Sequence, residues 1–165
     1  LEDVGWMLGA GGFTAGLLGA LAGGWLTERL GRTWALLAFG ILQSIGVAGY
    51  VLPALAWTDS LEALWALSMF EHFTGGLATV GVFTWRMDQC RPTAGGTDYT
   101  LQASIVVRTS GTGAAFSGFI ASWADYAGTF AISSATSLLG LGLIVLLLPH
   151  IPSPSEELDP STPAW

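Results

Sequence analysis

The stretch GGWLTERLGRT, residues 23–33, puts three charges and three glycines between two long apolar runs. Residues 4–24 before it carry no charged side chain, and neither do residues 34–54 after it. A run of about 20 apolar residues is long enough to cross a bilayer as a helix. The stretch therefore reads as a tight turn joining two membrane spans. Its glycines permit the reversal, and its arginines hold the turn at the interface.

Composition agrees. The chain has 165 residues, 52% of them hydrophobic and only 10% charged, whereas a soluble domain is about 25% charged. Mean hydropathy is +0.58 and the sequence pI is about 4.4. All five basic residues are arginines. An acidic chain of this kind does not suit nucleic acid, which attracts basic surfaces. Cys90 is the single cysteine, so no intrachain disulfide forms. No Cys/His spacing suggests a metal site, and no cofactor is expected. The sequence opens on LEDV and enters an apolar run almost at once, which reads as the C-terminal part of a longer protein.

Five spans are expected, over residues 4–24, 34–54, 60–85, 100–124 and 128–149. Together they make an all-α membrane protein, with residues 1–149 as one partial bundle. The acidic, proline-rich tail HIPSPSEELDPSTPAW, residues 150–165, has little to bury and is expected to be disordered. A soluble bundle would need a polar face on each helix, and three of the five segments have none. Arg29 and Arg32 lie between spans one and two, and Arg86 and Arg91 between spans three and four. Arg108 lies in the half of span four nearer that side. The opposite loops carry Glu2, Asp3, Asp59 and Asp125. The positive-inside rule makes the arginine side cytoplasmic, which puts the C-terminal tail in the cytoplasm. In span one, Gly9, Gly16 and Gly23 recur every seven residues with Gly12 and Gly19 between them. Small residues so placed are expected to form a seam where another helix backbone approaches closely.

The turn also carries a motif: Gly24, Glu28, Arg29, Gly31 and Arg32 follow the pattern G-x-x-x-D/E-R-x-G-R. This resembles the signature loop of the major facilitator superfamily, with Glu28 where Asp is more usual. In that family the loop lies between helices two and three and again between helices eight and nine. The resemblance implies that the five spans are helices eight to twelve of a twelve-helix transporter. It also implies that the N-terminal helices are missing partners of this bundle. An acidic residue near a helix end can pair with arginine from a neighbouring element and latch the cytoplasmic side until the bundles rock. Helices nine and twelve of such a transporter are outer scaffolding, ten lines the cavity and eleven flanks it. The matching spans two and five have no ionisable side chain, whereas three and four hold Glu71, His72 and Arg108.

The second arginine loop, TWRMDQCRPTAGGTDYTLQAS, residues 84–104, follows EHFTGGLATVGVFTW. Together they resemble a branch of bacterial inner-membrane permeases for ferric siderophores, close to the muropeptide permeases. The resemblance rests on Met87-Asp88, Arg91-Pro92, Ala94-Gly95 and the run Gly96 to Gln102. Asp88 is expected to pair with Arg86 or Arg91. Thr97 reads as the N-cap of span four, with Asp98 in its first turn, where the helix dipole favours an anion.

Glu71 lies 15 residues before Arg86, about 22 Å along a helix and so near mid-membrane. An intramembrane charge costs about 2.5–3.5 kcal/mol, so it should face a bundle interior or a wet cavity. Adjacent helical residues point about 100° apart, so Glu71 and His72 are expected to face different neighbours. Three readings stand. Arg108 contacts an anionic substrate group while Glu71 or His72 carries a coupling proton; Glu71 and Arg108 form a structural ion pair; or His72 is a hydrogen-bonded packing residue. Gln102 joins Glu71, His72 and Arg108 as a candidate for the substrate or proton pathway.

The resemblance implies a secondary transporter in the bacterial inner membrane. Its partners would be the lipid bilayer and a small-molecule substrate, with no role for nucleic acid. The expected activity is proton-coupled uptake of a ferric siderophore, the iron arriving as a chelate. A muropeptide or other organic-solute permease is the alternative, and a non-transporting assembly subunit is the alternative of another class. An enzyme is not expected, because an intramembrane catalytic set is missing.

Overall fold

The computed structural model of the protein describes residues 2–57 and 60–147. All its regular structure is helical: α1 (Glu2–Trp6), a π-helical turn (Met7–Gly11), α2 (Gly12–Leu30), α3 (Arg32–Gly49), α4 (Val51–Ala54), α5 (Leu61–Asp88) and α6 (Gly95–Leu147). The expected all-α class is the observed one. Asp59, the end of the fifth expected span and the tail 150–165 lie outside the described residues. Val4–Leu30, Arg32–Ala54 and Gly95–Leu147 are long and apolar enough to cross a membrane. α5 has 28 residues and is long enough too, but Glu62, Glu71, Arg86 and Asp88 lower its hydropathy.

Local chemistry sets the boundaries. Gly31, between α2 and α3, has φ +79° and ψ 151°, a conformation open to glycine and strained for any other residue. Its N–H donates to the Thr27 carbonyl at 3.0 Å and closes α2. Ser60 caps α5, its hydroxyl accepting from the Ala63 N–H at 3.3 Å. Glu62 in the first turn of α5 and Arg86 in the last both complement the helix dipole. The start of α6 departs from expectation. The helix begins at Gly95, and the Asp98 N–H donates to the Ala94 carbonyl at 3.0 Å. Thr97 is therefore inside the first turn and does not cap it. Asp98 ties back to Arg91, which draws residues 91–94 into the helix entry.

Contacts give the direction of each helix. Gly12 of α2 meets His72 of α5, Gly16 meets Gly76, Gly19 meets Phe73, and Gly23 meets Leu77 and Val80. α2 and α5 therefore run parallel. α3 runs antiparallel to both, with Gly49 against Leu67, Gly46 against Glu71 and Gly81 against Leu36 and Phe39. An unbroken α6 of 53 residues would be about 80 Å long, far beyond a bilayer core of about 30 Å. It breaks at Asp125, where φ is 57° and ψ 177°. Ahead of the break, Tyr99 and Gln102 touch Arg86 at the end of α5. Beyond it, Phe130 stacks on Tyr50, Ser137 reaches Ser44, and Leu141 lies on Gly40. The first part thus passes from the Arg86 end of the bundle to the Tyr50 end, and the second returns along α3.

Ala35, Phe39 and Leu77 form the buried core, packed against Ala22, Leu26, Ala38, Phe73 and Ala78. Much of the outer surface is apolar, as at Phe13, Trp34, Phe119 and Leu139. Exposed apolar residues in such number mark a membrane or protein contact.

The glycine seam of α2 is present with one correction. A side chain at Gly9 would meet nothing within 4 Å, whereas one at Gly11 would meet Trp65 and Met69. The π-helical turn at Met7–Gly11 is wider than an α-turn, so it rotates the residues before Gly12 out of register. Gly76→Ala would drive a methyl into the Gly16 carbonyl and is expected to cost about 1–3 kcal/mol, as overpacking does. Gly9→Ala should leave stability unchanged. Thermal melting of the whole protein in detergent checks both; equal melting of the two variants would mean that the α2–α5 seam is not close-packed.

Candidate functional site

Glu71 lies near the middle of α5, and both of its carboxylate oxygens are engaged. Oε1 accepts from Gln43 Nε2 of α3 at 3.0 Å. Oε2 lies 3.0 Å from His72 Nδ1. His72 Nδ1 is also 2.9 Å from the Ser68 carbonyl, which can only accept, so Nδ1 carries a hydrogen and donates. Thr74 Oγ1 lies 2.9 Å from Gln43 Oε1 and 3.0 Å from the Glu71 carbonyl. Glycines make room on two sides. A Cβ at Gly46 would come within 2.9 Å of Thr74 Oγ1 and 3.2 Å of Glu71 Cα. A Cβ at Gly12 would come within 2.6 Å of the His72 ring. Side-chain exposure is 22% for Glu71 and 30% for His72, so this chain does not fully enclose the pair.

This geometry amends the expected separation of the two residues. Glu71 does face α3, and His72 does face α2. Their long side chains nevertheless curl toward each other and meet. Gln43 was missed in the sequence, where the signal was a single amide in an otherwise apolar span. The other two candidates lie elsewhere. Arg108 is exposed on α6, and its guanidinium makes no hydrogen bond or ion pair among the described residues, so it is not paired with Glu71. Gln102 accepts from Arg86 Nε at 3.2 Å and donates to Cys90 Sγ at 3.7 Å, at the end of the bundle remote from Glu71.

That end holds the two loop motifs. Gly24, Glu28, Gly31 and Arg32 line one depression together with Thr27 and Thr84. Arg32 forms an ion pair with Asp88, the arginine 59% and the carboxylate 25% exposed. Asp88 thus finds a partner on α3, which starts beside the end of α5. The Arg29 guanidinium sits 4.1 Å over the Trp25 ring. Glu28 is exposed and makes no ion pair among the described residues, so the acidic partner of Arg32 there is Asp88. Arg91 holds Asp98 through Nη2 at 2.7 Å, Nε at 2.9 Å and its backbone N–H at 3.0 Å. These bonds from Arg91 hold the Asp98 carboxyl, in the first turn of α6 and ahead of the expected span 100–124, down at about 2. The clamp stays ionised through the physiological range and is lost only as pH falls toward that value. Arg86 is 7% exposed, lies between the Phe83 and Tyr99 rings, and leaves Nη2 without a hydrogen-bond partner. Among the described residues, no cluster of three or more His, Cys, Asp or Glu side chains could hold a metal ion.

The family profile of the Major Facilitator Superfamily matches residues 1–165. Two curated relatives are the anhydromuropeptide permeases of Escherichia coli strain K12 and Escherichia coli O157:H7. Each is 36% identical over 141 residues, covering 83% of this chain and 27% of the relative. The chain thus spans about a quarter of the length of the curated relatives it matches. No solved structure matches it.

The Arg32–Asp88 pair is exposed, so its loss should change stability by no more than about 1 kcal/mol. Arg32→Ala and Asp88→Asn in the whole protein are expected to slow turnover several-fold while changing solute affinity only a few-fold. The exchanged pair, Arg32→Asp with Asp88→Arg, should recover turnover. Uptake kinetics check this, and a large loss of affinity at intact turnover would mean that the pair binds solute and does not act as a latch.

Proposed function

The chain belongs to the major facilitator superfamily, and from this premise we propose that it is part of a proton-coupled secondary transporter for an anionic organic solute. The observation that carries this reading is the polar network around Glu71, placed mid-span between α3 and α5. A charge at that depth is costly, and such groups mark ion and proton pathways. Glu71, with His72 beside it, loads a proton on one side and releases it on the other as the bundles rock around a midplane site. Arg108 lies on a stretch of α6, residues 104–119, exposed throughout. In this reading that face turns toward the rest of the transporter, and Arg108 contacts an anionic group of the solute. Gln102 and Arg86 line the cytoplasmic end of the same route.

The named relatives favour a muropeptide as solute; the ferric siderophore anticipated from residues 84–104 has no support among them. The protein sits in the bacterial inner membrane, and this chain supplies helices eight to twelve as five crossings. Its arginine loops and its C-terminus are cytoplasmic. The remaining helices come from sequence outside this chain.

Glu71→Gln keeps the shape of the side chain and removes its titration. In the whole protein it should abolish accumulation driven by a pH gradient, by at least about tenfold, while sparing exchange of solute down its own gradient. Uptake and exchange in proteoliposomes separate the two, and wild-type accumulation across the pH range would end the proton role of Glu71. For sidedness, cysteines placed at Thr27 and Gln89 should react with an impermeant thiol reagent from the cytoplasm, and one at Asp125 from the periplasm. Reaction of all three from one side would overturn the crossing pattern.

A further inference from the structure

We infer that Gln43 is the positioning residue for Glu71, and that the Gln43–Thr74 pair offers Glu71 two complete hydrogen-bond networks, one for each protonation state. This rests on the proton-carrying reading above and identifies the device that would couple that proton to the packing of α3 on α5.

A primary amide has a donor end and an acceptor end, and rotating its terminal bond exchanges them. In the observed arrangement Gln43 Nε2 donates to Glu71 Oε1, and Gln43 Oε1 lies 2.9 Å from the Thr74 hydroxyl. The Thr74 hydroxyl has one hydrogen and two acceptors in reach, Gln43 Oε1 and the Glu71 carbonyl at 3.0 Å. With Glu71 ionised, Thr74 donates to Gln43 Oε1 and Gln43 donates to the carboxylate. Every group is satisfied, and the opposite amide orientation would set two oxygens against each other.

With Glu71 protonated, the second arrangement is complete instead. A proton from the aqueous phase forms an O–H bond at Oε1, which then donates to Gln43 Oε1. The rotated amide donates from Nε2 to Thr74 Oγ1. The Thr74 hydrogen turns to the Glu71 carbonyl. The atoms and charges balance, since one proton enters and the carboxylate becomes neutral. Nothing else in the network gains or loses a proton.

The surroundings make room for this rotation. A Cβ at Gly75 would lie in ordinary contact with the Gln43 amide atoms, at 3.5–3.9 Å, so the glycine leaves a methyl-sized gap beside the amide. Gly46 keeps α3 close enough for the contacts to form. On α5, the other titratable group facing Glu71 is His72. Just past α3, Tyr50 is the other titratable group near Glu71. α2 presents Gly12 and Gly16 to this region, and α6 presents Ser134 and Ser137 on the far side of α3, without charge.

The test uses the whole transporter in proteoliposomes, with an anhydromuropeptide as the transported probe and pH-driven uptake measured across the pH range. Gln43→Met keeps the length of the side chain and removes both ends of the amide. Without the donor that favours the charged form, the pH midpoint of uptake should move upward by about one unit, with the maximal rate changed only a few-fold. Gln43→Glu sets a second carboxylate beside Glu71 and should move the midpoint the same way; it also guards against a Met variant that fails to fold. Infrared titration of the protonated-carboxyl band, absent in Glu71→Gln, should show the same displacement without transport. An unmoved midpoint in the Gln43 variants, or a uniform loss of rate at every pH, overturns the positioning role while leaving the proton reading intact. Wild-type pH dependence in Glu71→Gln overturns the proton reading itself.

Discussion

The backbone of α5 lies directly on the backbone of α2, and the rest of the arrangement follows from that contact. Gly16 and Gly19 of α2 meet Gly76 and Phe73 of α5 with no side chain between them. In a membrane, helices gain little from burying apolar surface, because lipid is as apolar as they are; close packing of small residues supplies the attraction instead. The contact also fixes the rotation of α5 about its axis. Once Gly76 faces α2, Glu71 must face α3 and His72 must fill the space over Gly12. The polar network at mid-span is therefore a consequence of where the glycines fall.

Polar contacts at the two depths differ in kind. At mid-span an unsatisfied charge costs several kcal/mol, and Glu71 is accordingly hydrogen-bonded by Gln43 at Oε1, with His72 close to Oε2. Such a group holds its helices firmly until its charge changes. At the end of the bundle where α3 begins, Arg32–Asp88 is partly exposed and is worth at most about 1 kcal/mol. A pair of that strength can break and re-form within a transport cycle without threatening the fold. The firm contact sits where the proton would act, and the weak one where the bundle would open.

α3 has a larger part than its apolar sequence implies. The family resemblance makes α3 outer scaffolding by expectation, yet it supplies Gln43 to Glu71 and uses Ser44 to receive α6 through Ser134 and Ser137. On the proposed scheme, a helix with no charged side chain in its span sets the state of a carboxylate on its neighbour, because an amide presents either a donor or an acceptor at the same position.

What the sequence determined by itself was local or periodic. Apolar run length marked the helices, and the Gly-rich charged loops marked the turns. The motif around Gly24, Glu28, Gly31 and Arg32 led to the superfamily. Each of these depends on residues close together in the chain, so each could be read from spacing alone. The tertiary structure decided the pairings: Glu71 with Gln43, 28 residues apart, and Arg32 with Asp88, 56 apart. It also left Arg108 away from Glu71, and Gly9 off the seam behind a π-helical turn. Spacing along the chain gives the depth and face of a residue on its own helix. Which neighbouring helix meets that face, and at what rotation, is set by backbone packing between segments far apart in sequence.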